Sequence, residues 1–99
     1  MEIIFEYSED FEAKNINAAE DKFIDTAWGD KLVKFIEKET GKPLKKGGHD
    51  VIEVLEETND RDYIKSVDKL ANGMTMTIQI WENDEDAKEP FYGLMTIAR

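Results

Sequence analysis

The chain is predicted to be an α+β domain: an antiparallel β-sheet of three to five strands with one long and one short helix packed on one face. Three observations predict it. Residues 74–81 alternate, with Met74, Met76, Ile78 and Ile80 on one side and Thr75, Thr77, Gln79 and Trp81 on the other, which is the period of a strand covered on one face. Phe23, Ile24, Ala27, Trp28, Leu32, Phe35 and Ile36 recur every three or four residues, the stripe of an amphipathic helix. Asn72-Gly73, between "DYIKSVDKLA" and "MTMTIQIWE", is the pair that a two-residue type I′ hairpin turn requires, because both residues accept positive φ.

The remaining elements follow in order. "EIIFEY", residues 2–7, is short, apolar and rich in β-formers, hence a first strand, and "SEDFEAKNIN" is polar enough for a loop. Asn17 and Glu20 have the spacing of a capping box and start the long helix, which runs to Thr40 with Gly41 as its C-cap and Pro43 beyond. Gly29 lies inside and costs roughly 1 kcal/mol relative to alanine. Either the helix bends there or Asp30 caps a second one. After the loop "KPLKKGGH", Asp50 and Glu53 repeat the capping-box spacing, so Val51, Val54 and Leu55 would line a short helix. The alternation of Ile52 and Val54 equally permits a strand. "NDEDAKEP" connects to a last strand, "FYGLMTIA". No repeat or linker divides residues 1–99, a length suited to one domain.

The charge is strongly acidic, −10 overall, and unevenly spread. Residues 1–29 hold eight acids and two lysines (net −6), and residues 30–46 three acids and six lysines (net +3). Residues 50–62 hold six acids and one arginine (net −5), and residues 82–89 five acids and one lysine (net −4). Such a surface repels nucleic acid and anionic membranes and attracts basic protein surfaces. There is no cysteine, hence no disulfide, thiolate metal site or cysteine nucleophile. "MEIIFEYSED" lacks the basic n-region and the small-residue cleavage site of a signal peptide, and a cytoplasmic protein is expected.

Catalytic patterns are scarce. The single histidine, His49, neighbours Asp50, but adjacency in sequence does not aim two side chains at each other. "ENDEDAKE" lacks the central glycine and terminal glutamate of a calcium loop. "KKGG" lacks the spacing of a phosphate loop, and Lys42, Lys45 and Lys46 sit between acidic segments. No enzyme activity, cofactor or metal is expected.

The acids themselves are patterned. On a helix, Glu53, Glu56, Glu57 and Asp60 would neighbour one another at roughly 5–6 Å. In an extended segment, Glu82, Asp84 and Asp86 would share one side about 7 Å apart. These spacings approach those of successive phosphates, so the face can compete with DNA for a basic groove.

"IEKETGK", residues 36–42, resembles the end of the first helix in the phage-type uracil-DNA glycosylase inhibitors, a family of small acidic DNA mimics. "DVIEV", residues 50–54, is similar to that family's acidic second helix, Asp62 falls where its next strand begins, and "EPFYGLMTI", residues 89–97, resembles a later strand. The resemblance implies an apolar pocket between second helix and sheet that receives a hydrophobic side chain of the enzyme. The matching positions are Val51, Val54, Leu55, Met76 and Met95. The family's acidic strand between its two helices is replaced by "PLKKGGH", so mimicry would fall to Asp50, Glu53, Glu56, Glu57, Asp60, Glu82, Asp84 and Asp86. The expectation is a non-enzymatic inhibitor of a basic DNA-binding enzyme, with uracil-DNA glycosylase as favoured target. The alternative is an immunity protein or antitoxin that neutralises a basic nuclease.

Overall fold

The computed structural model describes residues 2–41, 51–70 and 73–99. Five antiparallel strands and two helices follow one another as β1 (Ile3–Phe11), α1 (Ile16–Ala27), α2 (Asp30–Thr40), β2 (Val51–Asn59), β3 (Tyr63–Leu70), β4 (Thr75–Glu82) and β5 (Phe91–Ala98). The sheet order is β1-β5-β4-β3-β2, so the chain leaves one edge after β1, passes through both helices and re-enters at the opposite edge. From there it zigzags back until β5 closes on β1.

The predicted α+β architecture is the one observed, with four local corrections, the last of them at β2. First, β1 continues through "SEDF", because Ser8–Phe11 pair in unbroken register with Leu94–Phe91. Second, α1 begins earlier than the Asn17–Glu20 spacing suggests. The cap is Asn15, whose Oδ1 accepts the Ala18 N–H at 2.9 Å. The helical stripe then divides at Gly29, the N-cap of α2 in extended conformation, and α2 ends where predicted, at Gly41 in the left-handed region (φ 71°). Third, the β3–β4 connection is longer than a two-residue turn. Lys69 pairs with Thr75 and the Leu70 N–H donates to the Met74 carbonyl at 2.8 Å, leaving three residues between, with Gly73 at φ 73°. A left-handed glycine at the third position is the usual ending of a three-residue hairpin loop. Asn72 lies outside the described residues.

Of the two readings of the segment after the loop, the strand, and not the short helix, is the one observed, β2 (Val51–Asn59). Its pairing with β3 shifts twice, between Val51 and Glu53 and between Val54 and Glu56, so Ile52 and Leu55 are extra residues on the β2 side.

The core lies between the sheet and the helices. Phe23, Ala27, Leu32 and Ile36 from the helices meet Ile64, Met76, Ile78, Ile80, Met95 and Ile97 from the sheet. Gly93 sets the closest approach, since a Cβ there would lie 2.8 Å from Phe23 Cγ and closer still to Cδ1 and Cε1. At the opposite end of β5, Arg99 pairs with Glu39 of α2. The helices cover the middle of the sheet, with α1 over β3, β4 and β5, and leave β2 projecting. No helix among the described residues is long and apolar enough to cross a membrane.

Candidate functional site

On β2 every residue except Thr58 is exposed, and its outer edge faces no other strand among the described residues. The bulges reorganise its carboxylates. Glu53 lies opposite Lys69 and Glu56 opposite Val67, so both share the face of the sheet away from the helices although they are three residues apart. Leu55, the extra residue, restores the alternation. Glu57 lies opposite Ser66 on the helix-covered face, together with Val54 and Val51.

The electrostatics of the two faces differ. Glu56 is paired with Lys65, Oε2 to Nζ at 3.3 Å, in a half-exposed bridge worth little by itself. Glu57 instead meets Glu20 of α1 across a small notch completed by Asn59 and Lys65. Burial chiefly, and then the charges of Asp21 and Glu57, hold the Glu20 carboxyl above the usual glutamate range. The folded chain therefore binds this proton more tightly than the unfolded chain, and ionisation destabilises the fold as pH rises through and above the usual glutamate value. Glu20→Gln is expected to melt higher than the parent near pH 7, with the advantage fading near pH 4. Thermal unfolding at the two pH values checks this, and a parent of equal or greater stability at neutral pH contradicts it.

At the end of β2 the acidic segments converge. The Asp60 N–H donates to the Tyr63 carbonyl at 2.9 Å and the Glu82 N–H to the Asp62 carbonyl at 3.1 Å, joining the β2–β3 turn to the β4–β5 connection. Asn83 Nδ2 donates to Asp10 Oδ1 at 3.3 Å, which brings in the end of β1. A polar cleft of ≈ 450 Å³ is lined there by Arg61, Asp62, Glu82, Asn83, Asp84 and Glu85. Residues distant in sequence thus form one acidic end of the sheet. The expected extended run from Glu82 to Asp86 is not formed: the Ala87 N–H donates to the Asp84 carbonyl at 2.9 Å, so residues 84–87 turn. Glu82, Asp84 and Asp86 are exposed, but they do not form one straight row.

The residues proposed for the apolar pocket separate. Met76 and Met95 are 2% and 0% exposed in the core beneath the helices. Val51, Val54 and Leu55 are 38%, 52% and 51% exposed on β2, a strand where the resemblance implies a helix, so they do not enclose a pocket with Met76 and Met95. Ile52, at 63%, joins the exposed set. Asp50 and His49 lie outside the described residues. Among the described residues no group of three or more His, Cys, Asp or Glu side chains could hold a metal ion.

Asp10, Glu20, Asp62 and Glu85 were not singled out in the sequence as contact residues. For Asp10, Asp62 and Glu85 the signal is strand register, which brings the ends of β1, β3 and β4 together and is not encoded in local spacing, and Glu20 is brought to β2 by the packing of α1 on the sheet. The uncovered face of the sheet also carries a row of half-buried rings, Tyr63, Trp81 and Tyr92, with neighbouring centroids 5.6 Å apart in both pairs. Tyr63 accepts a 2.9 Å hydrogen bond from Gln79. Alternation alone places Trp81 and Gln79 on that face.

Comparison of the chain with protein-family models, with curated proteins and with solved structures finds no match.

Proposed function

We propose that the chain is a non-enzymatic inhibitor, acting in the cytoplasm, that lays its acidic β2 edge and the adjoining acidic end of the sheet into the basic DNA-binding groove of a DNA-processing enzyme. The observation that carries this reading is the exposed edge strand with Glu53, Glu56 and Glu57, continuous with Asp60, Asp62 and the Glu82–Asp86 connection. Acidic groups carried on a strand paired along β3 have their spacing set before binding, which lowers the ordering that opposes it. Ile52, Val54 and Leu55 add exposed apolar area beside the charges. Uracil-DNA glycosylase is the leading target, on the resemblance of residues 36–42, 50–54 and 89–97. The same acidic and apolar surface also suits a second reading, an immunity protein or antitoxin on a basic nuclease, which uses the same physics on a different target.

The test is uracil excision from a labelled duplex with the protein added in excess. Stoichiometric inhibition is expected at low salt, with weakening as added salt shortens the screening length to ~8 Å at physiological ionic strength. No inhibition at micromolar excess in low salt overturns the glycosylase assignment. Protection of plasmid DNA from a basic nuclease toxin, without effect on the glycosylase, assigns the same surface to the second target.

A further inference from the structure

The other edge of the sheet offers a different kind of site. From Phe5 to Phe11, β1 pairs with β5 in seven consecutive register positions without a bulge, and its outer edge faces no strand among the described residues. Such an edge presents a row of unpaired backbone N–H and C=O groups. Beside it lies a predominantly apolar cavity of ≈ 440 Å³, lined by Phe5, Glu6 and Tyr7 from β1 and by Thr26, Ala27 and Leu32 from the corner between α1 and α2. Side chains alternate along a strand, so Phe5 and Tyr7 turn toward the helices and Glu6 away from them. The cavity thus lies beside the β1 backbone, on the side of the sheet that carries the helices.

Tyr7 closes one wall in a fixed state. Its hydroxyl donates to Glu9 Oε2 at 2.8 Å, and burial, this hydrogen bond and the Glu9 charge together push the phenol up to about 12. The phenol is therefore neutral at physiological pH, with the Glu9 carboxylate held beside it. On the uncovered face Glu6, Ser8 and Asp10 lie opposite Thr96, Leu94 and Tyr92, and β1 contains no lysine or arginine. Two carboxylates four residues apart thus border the free edge with no cation among their strand neighbours.

We infer that β1 is a strand-addition site for an extended basic segment of a protein partner, whose large apolar side chain enters the cavity between β1 and the α1–α2 corner. Main-chain hydrogen bonds supply affinity in this mode and side-chain pockets supply selectivity. The register sets the motif. Cations stand opposite Glu6 and Asp10, and the apolar residue stands opposite Tyr7, next to the cation that meets Glu6. Pairing of β1 with an edge strand of a second copy does not fit, because both edge strands of the sheet are acidic and free of cations.

The probe is the blocked peptide TKTTWKT, titrated into the ¹⁵N-labelled chain. Binding is expected to slow amide exchange within residues 5–11 and to leave β2 amides unchanged. Methylating the peptide nitrogens that would pair with β1 should abolish binding. Thr26→Trp, which fills the cavity from an exposed helical position, should weaken binding roughly tenfold or more, the value of one buried aromatic side chain. Its circular dichroism and melting curve verify that the fold is kept. Peptide with threonine in place of tryptophan should bind weakly and equally to the parent and to Thr26→Trp. Absence of binding at millimolar peptide, binding indifferent to methylation, or full affinity for Thr26→Trp each overturns the proposal. Because the probe contains no enzyme, failure here leaves the inhibitor reading of β2 standing, and failure of that reading leaves this site standing.

Discussion

Gly93→Val is expected to destabilise the chain by about 3 kcal/mol or more, at the upper end of what overpacking a core produces. The reason is local and geometric. Gly93 lies in β5 directly beneath Phe23, and even a methyl carbon would stand 2.8 Å from Cγ of that ring and nearer still to Cδ1 and Cε1. Phe23 is 0% exposed and stacks with Tyr7 at 5.7 Å and with Phe11 at 5.9 Å, so the ring has no free direction in which to retreat. Relief would require α1 to lift from β3, β4 and β5, opening the core. A stability of roughly 5–15 kcal/mol is normal for a folded domain, so the loss takes a large share. Urea unfolding measures it through the midpoint at constant slope. Gly93→Ala combined with Phe23→Leu should cost less than the two single changes together, because the smaller side chain vacates the space that the methyl group needs. A Gly93→Val midpoint equal to the parent's would mean that α1 does not rest on β5 at this point.

This contact was not legible in the sequence, whereas most of the sheet was. Met74, Met76, Ile78 and Ile80 alternate cleanly, and all four are buried. Phe91–Ala98 was bounded by its proline and polar flank, and β5 has those limits. The helical stripe was also readable, because Phe23, Ala27, Leu32 and Ile36 are the residues that reach the core. Gly29 then broke the stripe at the position where two helices could be distinguished from one.

β2 was ambiguous for a physical reason. Its apolar residues fall at 51, 52, 54 and 55, which is the spacing of an amphipathic helix. Two bulges produce that spacing on a strand by inserting Ile52 and Leu55 out of phase with the pleat. The neighbour that exposes this is β3, pairing through residues remote in sequence. The convergence of Asp10, Asp60, Asp62 and Glu82 escaped local reasoning in the same way. Composition located the acidic segments, and antiparallel register joined them.

The largest functional effect is expected from reversing charge on β2. Glu53→Lys, Glu56→Lys and Glu57→Lys together replace three carboxylates on the edge strand by three cations. Two of these residues lie on the uncovered face and one beside Glu20, so the variant inverts both sides of the strand. Against a basic groove each lost attraction becomes a repulsion. Close interfacial charge pairs couple by about 1.5–7 kcal/mol, so even at the low end three reversals weaken binding by a hundredfold or more. The substitutions should cost the fold little, since all three side chains are exposed and only Glu56 has an ion-pair partner shown, Lys65. Reversal of Glu37 and Glu39 on α2 is the matched control. It shifts net charge by +4 against +6 for the β2 variant and falls on a different element, with Glu39 engaged by Arg99.

The most direct measurement is therefore the inhibition constant of the β2 triple variant and of the α2 double variant in uracil excision, side by side at one low ionic strength. The predicted result is a hundredfold or greater loss for the β2 variant and a small loss, explained by net charge, for the α2 variant. Equal losses in the two variants would contradict the claim that the β2 edge is the surface that enters the groove.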